Sequence, residues 1–172
     1  PQNSAFPLRS ISMQAQLAKS TSVHAVLLCL AACLQGFTFL DPQSVDANLA
    51  LSAHYKMFLH AALLAAIAAA AVSGAFPKMG YNSAMGVFIL TTGGAWLSTY
   101  ADIAASFIKI ALPMSGAKAC RGFTKNCPVT IDGDHFNSQL IAISAFMILF
   151  GLILAMARTD PSSLMLTKAK KR

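Results

Sequence analysis

From Met57 to Phe76 the only polar side chains are His60 and Ser73; the rest of the run is alanine, leucine, isoleucine, valine, glycine, methionine and phenylalanine. At about 1.5 Å of rise per residue, a helix over this run spans a hydrocarbon core of roughly 30 Å. It is entered through Leu49 to His60, which sets His54, Lys56 and His60 at its mouth. His54 and His60 are six positions apart, about 600° of rotation at roughly 100° per residue, so they do not share a helix face. They are not a ready-made metal pair.

Three further runs accompany it. Thr21 to Leu40 closes at Asp41-Pro42, a helix stop; Ser83 to Leu112 closes at Pro113; Ser138 to Ala157 stops at Arg158. Between the second and third runs, Pro77, Gly80 and Asn82 form a turn. The expected fold is therefore an all-α, integral membrane four-helix bundle with both termini on the same side. Its spans are Thr21 to Leu40, Tyr55 to Phe76, Ser83 to Leu112 and Ser138 to Ala157, between a basic N-terminal tail (residues 1–20) and a basic C-terminal tail (158–172). Composition agrees: 56% of residues are hydrophobic and 11% charged, against about a quarter charged in a soluble domain.

The charges are lopsided. Thirteen Lys and Arg face six Asp and no Glu. Without a basic stripe interleaved with aromatics this balance argues against nucleic acid and for membrane topology and lipid contact. In a four-span chain Arg9, Lys19, Lys78, Arg158, Lys168, Lys170, Lys171 and Arg172 fall on the side of the termini, against Lys56, Lys118, Arg121 and Lys125 opposite. The positive-inside rule places the termini on the cytoplasmic, matrix or stromal side. Residues Pro1 to Lys19, basic and free of acids, read as the remainder of an organelle-targeting segment or as a membrane-surface tail. The location they imply is an organellar inner or thylakoid membrane.

Several residues carry chemistry within this frame. Asp102 is the one acid well inside an apolar run, where an unpaired carboxylate is costly; Lys109, seven positions on and nearly on its face, can snorkel toward the interface or meet Asp102 through water. If Asp102 is simply a hydrogen-bonded group, Asp102→Asn should preserve assembly, because an amide still donates and accepts. Gly93, Gly94, Ala101, Ala104 and Ala105 are expected to face neighbouring helices, since small residues allow close approach. Cys29 and Cys33, at i and i+4 on the first run, read as reduced packing residues rather than metal ligands. Cys120 and Cys127 read as a disulfide in the long loop Pro113 to Asn137, on the outer side. In that loop Asp132-Gly-Asp134-His135 lacks the further ligands of a calcium loop, so no metal site is expected. His24, His54 and His60, near span ends, are candidate ligands for chlorophyll or haem.

Leu51-Ser52-Ala53-His54 before the second span, Thr99-Tyr100-Ala101-Asp102 in the third and Pro113-Met114 at its end resemble the pattern of the hydroxylaminobenzene mutase family of small membrane proteins, over roughly Asp41 to Ala157. Members of that family rearrange an aryl hydroxylamine to an aminophenol. The resemblance implies His54, Tyr100 and Asp102 as catalytic candidates. The chain departs from the pattern twice: the family has an acid two positions after the histidine, where this chain has Lys56, and an asparagine where it has Asp102. Proton donation to a departing hydroxyl would then need other groups.

Two functional classes follow. One is an accessory or structural subunit of a larger respiratory or photosynthetic complex, contacting membrane lipids and other membrane subunits. The other is a mutase-like intramolecular isomerase. The first is preferred, because the interior runs offer few convergent polar groups to line a catalytic cavity.

Overall fold

The computed structural model describes residues 5–37, 47–77, 79–108 and 135–159. They form four helices: α1 (Ala5–Gly36), α2 (Ala47–Val72), α3 (Tyr81–Ile108) and α4 (His135–Met156). The all-α architecture is as the apolar runs predict. Three of the helices, over Met13–Gly36, Ala50–Val72 and Gln139–Met156, are long and apolar enough to cross a membrane.

The expected order of runs holds, with two differences in where helices start. Helix α2 starts at Ala47, not Tyr55, and helix α1 starts at Ala5, not near Thr21, so the stretch read as a tail is helical. Pro7 does not prevent this, because it falls in the first turn, where no intrahelical N–H bond is required. Leu17 and Ala18 are buried and extend inward a stripe that continues through Ala25, Leu28 and Ala32. Lys19 stays on the outside of the same helix.

Helix α2 packs along α1 through Ala50, Ala53, Met57, Ala61, Leu64, Ala68 and Ala71, residues that recur at spacings of three and four and so fall on one face. The two helices are antiparallel. Gln35 Nε2 of α1 donates to Ala50 O at the start of α2, and Gln14 Nε2 donates to Phe76 O just beyond its end. The end of α2 is closed by Gly74, whose φ of 75° only glycine adopts at no steric penalty. Ala75 N–H reaches back to Ala70 O and Gly74 N–H to Ala71 O, the paired bonds of a Schellman cap.

Helix α3 is the hub: it contacts α1, α2 and α4, whereas α4, among the described residues, contacts α3 alone. The arrangement is a three-helix core with a fourth helix laid against one side. Unlike the other three, α3 is not among the helices apolar enough to cross a membrane by composition. The reason is visible in its burial. Thr91, Thr92, Ser98, Thr99, Asp102 and Ser106 all point into the protein, while its outward stripe is Tyr81, Met85, Ile89, Tyr100 and Phe107. Its polar side chains face the interior, not the surroundings.

The α3–α4 contact is close because glycines meet there. A Cβ on Gly94 would lie 2.8 Å from Ser144 O and from Ile148 Cγ1, and one on Gly151 would lie 2.6 Å from Thr91 Cγ2. Gly93 faces Met147, and Ala101 and Ala105 are buried beside Ile141, so those members of the expected small-residue face do meet a neighbour; Ala104 is half-buried. Buried hydroxyls at this seam are satisfied within their own helices: Thr91 donates to Val87 O and Ser144 to Ile141 O.

Candidate functional site

Gln35, Ser98, Thr99, Asp102 and Ser106 are buried polar groups in the half of the bundle where α2 begins. The register of antiparallel α2 and α3 brings Lys56 against Asp102, with Nζ 2.9 Å from Oδ1. Asp102 is 2% exposed, whereas the Lys56 side chain keeps 23% exposure toward the bundle end. Ser98, one turn back along α3, sets its hydroxyl 3.5 Å from the other carboxylate oxygen. Lys109, the cation of the same apolar run, lies outside the described residues. The ion pair that the structure shows joins α2 to α3 across their interface.

One turn from Lys56, His60 lies on the same face of α2, and among the described residues its buried Nδ1 has no hydrogen-bond partner. Among those residues the buried hydroxyls of Thr99 and Thr92 of α3 have none either. On the α1 side of α3, Trp96 Nε1–H donates to His24 Nδ1 at 3.1 Å, and the His24 ring tilts onto Phe88 at 5.5 Å. Because Nδ1 of His24 accepts, its proton is on Nε2. A metal or haem iron would need the lone pair that this tautomer does not offer there.

His54 is held differently. Its Nδ1 lies 2.9 Å from Ala32 O; a carbonyl can only accept, so Nδ1 carries the proton. The ring stands edge-on to Phe58 at 5.0 Å. A histidine that gives one ring N–H to a carbonyl has the tautomer seen in metal-bound imidazoles. Among the described residues, no group of three His, Cys, Asp or Glu side chains could hold a metal ion.

His54, Tyr100 and Asp102 therefore sit on three different surfaces: His54 against α1, Asp102 against α2, and Tyr100, 61% exposed, on the outer stripe of α3. The two-residue step from Tyr100 to Asp102, about 200° of rotation, is enough to separate them. The clearest cavity, about 80 Å³, is at the opposite end of the bundle, between Leu17 on α1 and Met85 and Phe88 on α3. Lys56 is the residue that sequence reasoning underrated. Its signal was present, as a lone cation beside an apolar run in a chain whose facing run held a lone acid.

Cys29 and Cys33 are free thiols, Cys29 half-buried and Cys33 exposed. Cys120, Cys127 and the Asp132-Gly-Asp134 stretch lie outside the described residues. No protein-family model, curated protein or solved structure matches this chain, so its function has to be argued from the residues themselves.

Proposed function

We propose that this protein is an integral membrane accessory subunit of a larger organellar energy-transducing complex, structural rather than catalytic. The observation that carries this reading is the inversion of its surface. Large apolar side chains, among them Val26, Leu30, Leu34, Leu59, Ile89, Phe146, Phe150 and Ile153, are exposed on all four helices, while Asp102, Ser98 and Thr91 are inside. Exposed apolar patches of this extent mark a surface that lipid or partner protein covers.

The same geometry favours a structural role over the mutase reading. The two departures from the family pattern, Lys56 and Asp102, are paired with each other, so the acid that the mutase reading would use as a catalyst is neutralised. A scaffold can keep its packing and lose its chemistry. Basic termini suit contacts with anionic lipid or acidic partner surfaces on the matrix or stromal side.

Purification from the native membrane in mild detergent is the test. The expected result is co-migration with a respiratory or photosynthetic assembly in fixed stoichiometry. Isolated chain that converts phenylhydroxylamine to aminophenol, with turnover lost in Tyr100→Phe, would reverse the ordering; Tyr100 is exposed, so that change leaves the packed core untouched.

A further inference from the structure

The groove between α1 and α3 is not filled by either of their other neighbours. Among the described residues, helix α2 covers one side of the α1–α3 pair and α4 contacts α3 without contacting α1, which leaves a channel along the outer surface. Its walls are Leu17, Ala84, Met85 and Phe88, and Gln16, Ser20 and Tyr81 add an amide and two hydroxyls along its length. Tyr81 is the first residue of α3 and more than half exposed, at the end of the bundle where the N-terminal part of α1 and the end of α4 also lie.

Two described cations belong to that half of the bundle. Lys19 is exposed on the stretch of α1 that forms the groove, and Arg158 follows α4. In sequence the segments joined to this end add Arg9, Lys78, Lys168, Lys170, Lys171 and Arg172, against the single acid Asp160. An apolar channel that opens sideways, carries an amide and two hydroxyls along its length and has Lys19 and Arg158 in the same half of the bundle matches one kind of molecule.

We propose that the α1–α3 groove is a binding site for one anionic phospholipid, an acyl chain lying against Leu17, Met85 and Phe88 and the phosphate held in the half of the bundle that carries Lys19 and Arg158. The thioether of Met85 is flexible and polarisable, which lets the wall adapt to a chain of methylenes. Gln16, Ser20 and Tyr81 supply donors for the glycerol esters and phosphate oxygens. Lys19 extends its stem over apolar surface while its ammonium reaches the headgroup level. A zwitterionic headgroup fills the same volume without the net charge, so discrimination comes from charge and retention from the groove.

This site rests on the membrane reading above, and the experiment separates the two. Full-length protein is reconstituted into vesicles of phosphatidylcholine with or without phosphatidylglycerol, extracted into detergent, and its retained lipid identified by native mass spectrometry. The expected result is a single retained phosphatidylglycerol, with phosphatidylcholine lost. Gln16→Trp, which fills the groove from an exposed position, and Lys19→Gln should each weaken retention about tenfold, the loss of roughly one good contact. Val26→Trp, on the outer face of α1 away from the groove, should leave it unchanged. Circular dichroism of each variant establishes that the helices are intact. Protein that inserts, resists alkaline carbonate and yet holds both lipids alike, or retains phosphatidylglycerol undiminished in Gln16→Trp, overturns the site alone. Protein stripped from vesicles by carbonate overturns the membrane reading instead.

Discussion

Lys56 and Asp102 illustrate how a single residue's role depends on what opposes it. Either charge alone inside an apolar bundle is a liability; together they bridge α2 and α3 at 2.9 Å. Removing one member of a buried pair leaves the other uncompensated and costs about 3–5 kcal/mol, and the partial exposure of Lys56 places this pair at the low end. Asp102→Asn is therefore expected to lower stability by about 3 kcal/mol, not to be silent, because the amide keeps an acceptor for Nζ but removes the countercharge. Lys56→Met should lose a similar amount. The double variant should recover most of the loss, since neither charge then remains. Unfolding of detergent-solubilised protein in a double-mutant cycle measures this; strictly additive losses would show that the pair is not coupled.

At the level of the helix, the seam between α3 and α4 is set by the space at Gly94 and Gly151. Both added methyl groups would meet backbone or a rigid side chain: Ser144 O at 2.8 Å from the first, Thr91 Cγ2 at 2.6 Å from the second. The helices must separate to admit them, and overpacking of this kind costs about 1–3 kcal/mol. Gly94→Ala and Gly151→Ala are each expected to be destabilised by that amount, and to expose α4 to protease first, because α4 leans on α3 alone among the described residues. Gly80→Ala provides the control. Nothing lies within 4 Å of its would-be Cβ, and thermal unfolding should place it within error of the parent protein.

On the scale of the whole molecule, the helices alternate in direction, so the N-terminal part of α1 and the end of α4 share one end with the α2–α3 turn. With eight cations assigned by sequence to that side against Lys56, Lys118, Arg121 and Lys125 opposite, the positive-inside rule predicts a sidedness that can be measured. In sealed vesicles of known orientation a cysteine introduced by Lys170→Cys, in a chain whose native cysteines are replaced by serine, should react with an impermeant maleimide only when the cytoplasmic-equivalent face is exposed. One introduced by Lys118→Cys should show the opposite preference. Labelling of both from one face would exclude a four-span topology.

The sequence by itself determined the number, order and helical nature of the four elements, because hydrophobic run length, proline and glycine stops and the need to satisfy backbone polar groups are properties of each segment alone. It also marked Asp102 as a residue needing a partner, and the glycine pair of α3 as a contact surface, since an isolated acid and adjacent small residues stand out in any apolar run. Which cation answers Asp102 was decided only by tertiary structure: Lys109 follows it along the chain, but Lys56 faces it, and the register of two antiparallel helices is a property of the pair. The same holds for the start of α1, where Leu17 and Ala18 are helical core because α2 and α3 offer them a surface. It holds too for Tyr100 and Asp102, adjacent in a motif yet sent to opposite sides of α3. Segment hydrophobicity is local; which faces meet is settled by packing among all the helices at once.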